Sequence, residues 1–206
     1  DASSDGTQQL VREFAISLKA DAAEPGDARR DHVKLLARND ALVKGLTASV
    51  LDALRQCETE YFVVMDGDFQ HPPACAAQIL RMLQEGADIV VGCRDFREIN
   101  QPLFRYLLSC TAASLAGTIL KIWRQQTIKD PLSGFFGGRT CVVLPIIQAK
   151  EKLFELRGYK VLFDLLRLLP AETRIEQIFY DFGARPSGSS KFKLRHALLF
   201  LRSLLR

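Results

Sequence analysis

Five apolar residues, Tyr61-Phe62-Val63-Val64-Met65, run straight into Asp66-Gly67-Asp68 and then Phe69-Gln70-His71-Pro72-Pro73. A β-rich run of that length predicts a buried strand over 61–65 whose exposed end delivers two carboxylates. Alternation sends Asp66 and Asp68 the same way, with Gly67 opposite. Like charges brought together are costly unless a cation sits between them. Hard oxygen ligands, with an amide carbonyl from Gln70, suit Mg²⁺ or Mn²⁺ rather than zinc, so these residues predict a divalent metal carrying a diphosphate. A plain turn is the competing reading, because Asp and Gly both favour turns.

Around that strand the first half of the chain alternates between two periods. Thr7 predicts the cap of a helix with Leu10, Val11, Phe14 and Leu18 as its apolar face, followed by a polar loop at 21–30 and a short strand at 32–36. A helix over 44–56 turns Leu46, Val50, Leu51 and Leu54 inward. After the carboxylate strand, Pro72 and Pro73 open another helix with Ile79, Leu80 and Leu83 apolar, and 88–92 reads as a further strand. This order predicts an α/β fold with a largely parallel sheet flanked by helices. Its site lies at the carboxyl ends of the strands, where Asp66 and Arg94 stand.

At 206 residues the chain is the size of one domain with a sizeable core. Its five cysteines are scattered without a CxxC, which argues for neither a zinc site nor a disulfide framework and fits a reducing compartment. The net charge of +4 is concentrated at the end, in Lys191, Lys193, Arg195, His196, Arg202 and Arg206. Phosphate-bearing substrates, anionic lipid and nucleic acid are the partners such a patch attracts. Only Phe192 and Phe200 interleave it, so nucleic acid is not expected. Nothing in the sequence specifies an oligomeric state.

The apolar helix predicted over 102–123 is interrupted by Arg105, Ser109, Cys110, Thr111 and Ser114. A spanning helix needs ~20 predominantly apolar residues, so this one is expected in the core or at an interface. The segment 192–206 reads as a basic amphipathic helix. Either it attaches to a membrane surface or it packs on the sheet with its charges solvated.

Three clusters share the chemistry of anionic oxygen binding. Arg94 follows the strand 88–92; Arg105 and Ser109, four apart on a helix, can grip one phosphate with a guanidinium and a hydroxyl. The Gly/Ser-rich run Arg185-Pro186-Ser187-Gly188-Ser189-Ser190-Lys191 can close over a diphosphate.

Read in order, several segments resemble the GT-A glycosyltransferases of family 2. They are Asp1-Ala2-Ser3-Ser4-Asp5-Gly6-Thr7, similar to a DxSxDGT loop; Lys44-Gly45-Leu46; Met65 to Pro73; Val91-Gly92-Cys93-Arg94; Asp130-Pro131-Leu132-Ser133-Gly134-Phe135; Gly158-Tyr159-Lys160; and Arg185 to Lys191. Within that family the resemblance is to polyprenyl-phosphate sugar synthases of the dolichyl-phosphate mannose or glucose type.

The resemblance implies a single domain over 1–206 that moves a hexose with inversion from GDP-mannose or UDP-glucose to a polyprenyl or dolichyl phosphate, at the cytoplasmic face of a membrane. It implies that Asp66, Asp68 and Gln70 hold Mg²⁺ or Mn²⁺, that Asp1 touches the base or ribose, and that Arg94, Arg105 and Ser109 bind the acceptor phosphate. Arg185 and Lys191 would steady the departing nucleoside diphosphate, and Ser133 would contact substrate. Asp68, Arg94 and Asp130 form the implied catalytic set. A phosphate acceptor is already ionised, so Asp130 is expected to orient the sugar or the 133–135 turn rather than to take a proton.

Cys93, Ala74 and Ser189 depart from the family's usual Ser, Glu and Glu without removing an implied ligand. Family members begin with a strand, a helix and a second strand ending in paired Asp. The sequence opens without an initiator Met or a signal-peptide pattern, at what looks like the second Asp of that pair. It is therefore expected to lack its first strands and much of the nucleotide pocket. Two other readings stand beside the main one. A family 2 transferase acting on a polysaccharide or protein is disfavoured by Arg105 and Ser109, since a neutral hydroxyl needs a base more than cations. The other is a non-catalytic module that binds anionic membrane or nucleic acid.

Overall fold

The computed structural model describes residues 5–21, 33–38, 42–94, 103–124 and 126–182, without the side chains of 19–21, 103–110 and 123–124. The chain divides into two compact units, 1–44 and 45–206. In the first, α1 (Thr7–Asp21) forms where the sequence predicts it. Its cap is the carboxylate of Asp5, whose Oδ1 accepts the Thr7 backbone N–H at 3.1 Å and the Thr7 hydroxyl at 2.6 Å. Leu10 and Phe14, expected to face inward, are exposed. Residues 33–38 form no strand, and His32 and most of the 21–30 loop lie outside the described residues. A strand exists through its ladder, and no partner strand is described in this unit.

The second unit contains α2 (Leu46–Arg55), β1 (Tyr61–Val64), α3 (Pro73–Gln84), β2 (Ile89–Arg94) and α4 (Leu103–Arg124). It continues through β3 (Phe136–Arg139), α5 (Thr140–Lys150), a 3-10 turn at Glu151–Leu153, α6 (Val161–Leu168) and β4 (Ile175–Tyr180). The helices and strands predicted between 44 and 123 all form. The helix predicted over 192–206 lies outside the described residues. No helix among the described residues is long and apolar enough to cross a membrane.

The sheet order is β1-β3-β2-β4. β2 and β4 pair in parallel, while β3 pairs antiparallel with both β1 and β2. The expected α/β sheet is therefore mixed: β1, β2 and β4 share a direction and β3 runs against them. One rim collects the carboxyl ends of three strands together with the segment that leads into β3. Glycines make this insertion possible. A Cβ on Gly137 would lie 2.5 Å from Ile79 Cγ2 and 2.8 Å from the Phe62 carbonyl, and one on Gly138 would lie 2.8 Å from Ile89 Cδ1.

Alternation along β2 divides the core. Ile89, Val91 and Cys93 join Leu51, Leu120, Ile147 and Leu162 on one face, while Val90 joins Ile79 and Leu83 of α3 on the other. Each fully buried aliphatic side chain contributes about 1.5–3 kcal/mol of burial free energy. α3 starts at Pro73, where a missing N–H costs nothing, and stops at Gly86, whose φ of 109° breaks the helical path. At the start of α2, the N–H groups of Thr47 and Ala48 donate to Gly158 and Leu156 carbonyls at 3.1 and 3.2 Å. A Cβ on Gly45 would collide with the Leu156 carbonyl, so the glycine allows the 156–158 loop to close on α2 and sets the path into Lys160.

Candidate active site

β1 ends at Val64 and the chain turns at Gly67 and Asp68, so strand alternation does not place the two carboxylates. The turn's own hydrogen bonds do. The Asp66 backbone N–H donates to His71 Nδ1 at 3.0 Å, and the Gln70 N–H donates to Asp68 Oδ1 at 3.2 Å. Phe69 between them is exposed and takes a left-handed φ of 59°, which costs a residue with a Cβ about 1–2 kcal/mol.

His71 is the buried pivot of this turn. It stacks on Phe135 with ring centroids 4.9 Å apart and meets the edge of Tyr180 at 5.7 Å. Burial holds its pKa below the ordinary value, against the pull of the Asp66 and Asp68 carboxylates. A neutral ring that accepts at Nδ1 carries its proton on Nε2.

The loop 130–135 lies beside the turn. Asp130 is wholly buried and receives Arg94 Nε at 2.7 Å and Nη2 at 3.1 Å, a two-pronged contact. Burial works against the Arg94 charge, but Asp130 outweighs it and the guanidinium's pKa is raised. The buried Ser133 hydroxyl accepts the Phe135 N–H at 3.1 Å and donates to the Phe135 carbonyl at 3.2 Å, which closes the turn. A Cβ on Gly134 would stand 3.6 Å from Asp66 Oδ2 and 3.8 Å from His71 Cε1, so this glycine borders the carboxylate. Lys160 Nζ donates to the Leu132 carbonyl at 3.1 Å. Gln177 of β4 anchors the approach to Asp130, accepting from the Lys129 N–H at 2.7 Å and donating to the Thr127 carbonyl at 3.0 Å.

Asp66, Asp68, Arg94, Asp130 and Ser133 thus lie at one rim, where the strand order of the sequence predicts Asp66 and Arg94. Gln70 enters through its backbone N–H, and Ser133 through the turn it closes. Arg105 and Ser109 stand one turn apart on α4, their side chains outside the described residues; Asp1, Arg185 and Lys191 also lie outside them. Sequence reasoning did not single out His71, Lys160 or Gln177. The first two sit inside segments that resemble the family; Gln177 carries no local signal.

Among the described residues, no group of three or more His, Cys, Asp and Glu side chains gathers as a metal cage. Two neighbouring carboxylates nevertheless fit Mg²⁺ or Mn²⁺, which is commonly held by one or two carboxylates plus substrate phosphates. His71 Nδ1 already serves the Asp66 N–H, which leaves the two carboxylates and the Gln70 side-chain carbonyl as the candidate donor set.

The sequence profile described as Glycosyl transferase family 2 matches residues 1–143. The chain belongs to that family. The family 2 chain is 32% identical over 179 residues to a dolichol-phosphate mannosyltransferase of Pyrococcus furiosus, covering 84% of this chain and 47% of the relative. It is 28% identical over 182 residues to the dolichol-phosphate mannosyltransferase of Saccharomyces cerevisiae, covering 84% and 63%. The chain thus spans between about half and three-fifths of the length of these relatives. Among solved structures, glucosyl-3-phosphoglycerate synthase from Mycobacterium tuberculosis, in complex with Mn²⁺, uridine diphosphate and glucosyl-3-phosphoglycerate, superposes with a TM-score of 0.59 at 17% identity. That match covers 100% of this chain and 64% of the synthase. It establishes a shared GT-A fold.

Proposed function

We propose that residues 1–206 belong to one glycosyltransferase domain that moves a hexosyl group, with inversion, from GDP-mannose or UDP-glucose to a polyprenyl or dolichyl phosphate. The observation that carries this reading is the arrangement of charge around one loop. Asp66 borders Gly134 on one side, and Arg94 is held by Asp130 at the other. An acidic and a cationic wall therefore flank the same turn, as a metal-bound diphosphate donor and an anionic acceptor require.

A phosphate acceptor reaches the site ionised, so the chain has to position groups and stabilise charge rather than remove a proton. Asp130 agrees with this division of labour. Both its oxygens are engaged by Arg94 and it is closed to solvent, so it holds the guanidinium in place. In this reading Asp66 and Asp68, with Gln70, hold Mg²⁺ or Mn²⁺, which when bound neutralises charge on the departing nucleoside diphosphate. Arg94, Arg105 and Ser109 hold the acceptor phosphate. Ser133 shapes the turn against which substrate lies, and Asp1, Arg185 and Lys191 serve the donor. The likeness to the two dolichol-phosphate mannosyltransferases supports the acceptor class, and the Mn²⁺ and uridine nucleotide of the M. tuberculosis synthase support the donor and metal classes.

α4 exposes Leu115 and Ile122. With the basic sequence of 192–206 they support contact with a membrane surface through 103–123 and 192–206; the cytoplasmic face is carried over from the family resemblance alone. The test incubates the protein with labelled sugar nucleotides, a polyprenyl phosphate and Mn²⁺ or Mg²⁺, with and without chelator. Metal-dependent formation of a sugar–lipid phosphate is expected. Undiminished transfer in excess chelator overturns the metal assignment, and transfer to an oligosaccharide or protein but never to the lipid phosphate overturns the acceptor.

A further inference from the structure

Arg94 and Lys160 both reach the 130–135 loop, but they are committed very differently. Arg94 places Nε and Nη2 on a buried carboxylate counter-ion, Asp130. Lys160 is half-buried; its ammonium lies over the Tyr159 ring, 4.6 Å from the centroid, and makes one hydrogen bond, to the neutral Leu132 carbonyl. Among the described residues it forms no ion pair. An ammonium has three N–H donors, so two of them are not used by the described residues.

We propose that Lys160 is an anion-binding residue of the transfer site, taking a phosphoryl oxygen of the polyprenyl phosphate or of the donor's diphosphate with the N–H donors that the described residues leave unused. This rests on the reading of the site as one that joins two phosphate-bearing substrates. Position supports it: Leu132, which Lys160 holds, lies between Asp130, which binds Arg94, and Gly134, which borders Asp66. Charge supports it as well. Burial and then the like charge of Arg94 bring the Lys160 pKa down to about 8, against the pull of Asp130 and Asp66. A phosphoryl oxygen near both cations relieves the repulsion between them and replaces the water that burial removed from the ammonium. A lysine that merely braced Leu132 would gain nothing from such a ligand.

The first test uses the wild-type protein. Lys160 is labelled with acetic anhydride and quantified by mass spectrometry, alone and with inorganic phosphate, a short-chain polyprenyl phosphate, or a sugar nucleotide with Mn²⁺. Protection by the lipid phosphate assigns Lys160 to the acceptor, and protection by the nucleotide sugar assigns it to the donor. Labelling that none of the three slows overturns the proposal. In the second test, Lys160→Met raises KM for the protecting substrate about 10- to 100-fold, the range for a hydrogen bond to a charged group, while Lys160→Arg restores most of it. Equal losses for both substrates, unrescued by Arg, mark a brace and overturn the proposal. If wild-type protein transfers sugar to no lipid phosphate, the proposed function fails, whereas protection by inorganic phosphate still decides the role of Lys160.

Discussion

The Arg94 guanidinium grips Asp130 from two nitrogens, at 2.7 and 3.1 Å, on a carboxylate with no solvent exposure. Removing one partner of such a pair leaves the other charge uncompensated, at a cost of about 3–5 kcal/mol. Asp130→Asn keeps the shape and deletes the charge, so urea unfolding should show a loss of that order together with a collapse of sugar transfer. Wild-type stability in this variant would mean that the pair does not hold the loop.

His71 combines two contributions that substitution can separate. His71→Phe keeps an aromatic ring beside Phe135 but leaves the Asp66 N–H without its acceptor at 3.0 Å. A lost partner of this kind costs about 1–3 kcal/mol. Weaker Mn²⁺ binding by calorimetry is expected alongside it, because the turn that presents Asp66 loosens. Unchanged metal affinity in a correspondingly destabilised protein would confine His71 to packing.

Gly92 and Gly67 form a matched contrast. A Cβ on Gly92 would lie 2.7 Å from Phe135 Cδ1 and 3.0 Å from its carbonyl, whereas one on Gly67 would meet nothing within 4 Å. Gly92→Ala should cost about 1–3 kcal/mol through overpacking and should disturb the ring on which His71 stacks. Gly67→Ala should change stability by less than about 0.5 kcal/mol. Thermal unfolding of the two variants checks the contrast, and equal effects would contradict the close approach at Gly92.

Lys160 makes stability depend on pH with a definite sign. Its pKa is 10.5 ordinarily and about 8 when folded. Below about 8 both states are protonated and the folded chain carries the whole penalty; between 8 and 10.5 only the unfolded chain keeps the proton, so stability rises with pH. Lys160→Met lacks this dependence. After allowance for the lost Leu132 hydrogen bond it should be about 2 kcal/mol more stable than wild type at neutral pH. That advantage should vanish as pH approaches 10.5. Parallel stability curves for the two proteins would refute a depressed Lys160.

Short-range pattern was enough for α2, α3, α4, β1 and β2, because each carries its own period and its own start or stop, such as Pro73 for α3. For the site, strand order alone put Asp66 and Arg94 on one rim, while Asp130 came in only through the resemblance of its segment to a known family. β3 is another matter. Phe136-Gly137-Gly138-Arg139 reads locally as a turn, since glycine has little strand propensity. It becomes a central strand because only glycines fit beneath Ile79 and beside Phe62. Residues 33–38 show the reverse, a strand-like run without a described ladder. The turn at Gly67, the Asp66–His71 bond and the contrast between Arg94 on a carboxylate and Lys160 on a neutral carbonyl were likewise settled by tertiary structure. Residue types and their order determine which groups can do chemistry. Ladder partners, burial and counter-ions arise from contacts between segments far apart in the chain, and those contacts determine where the groups point and what charge they carry.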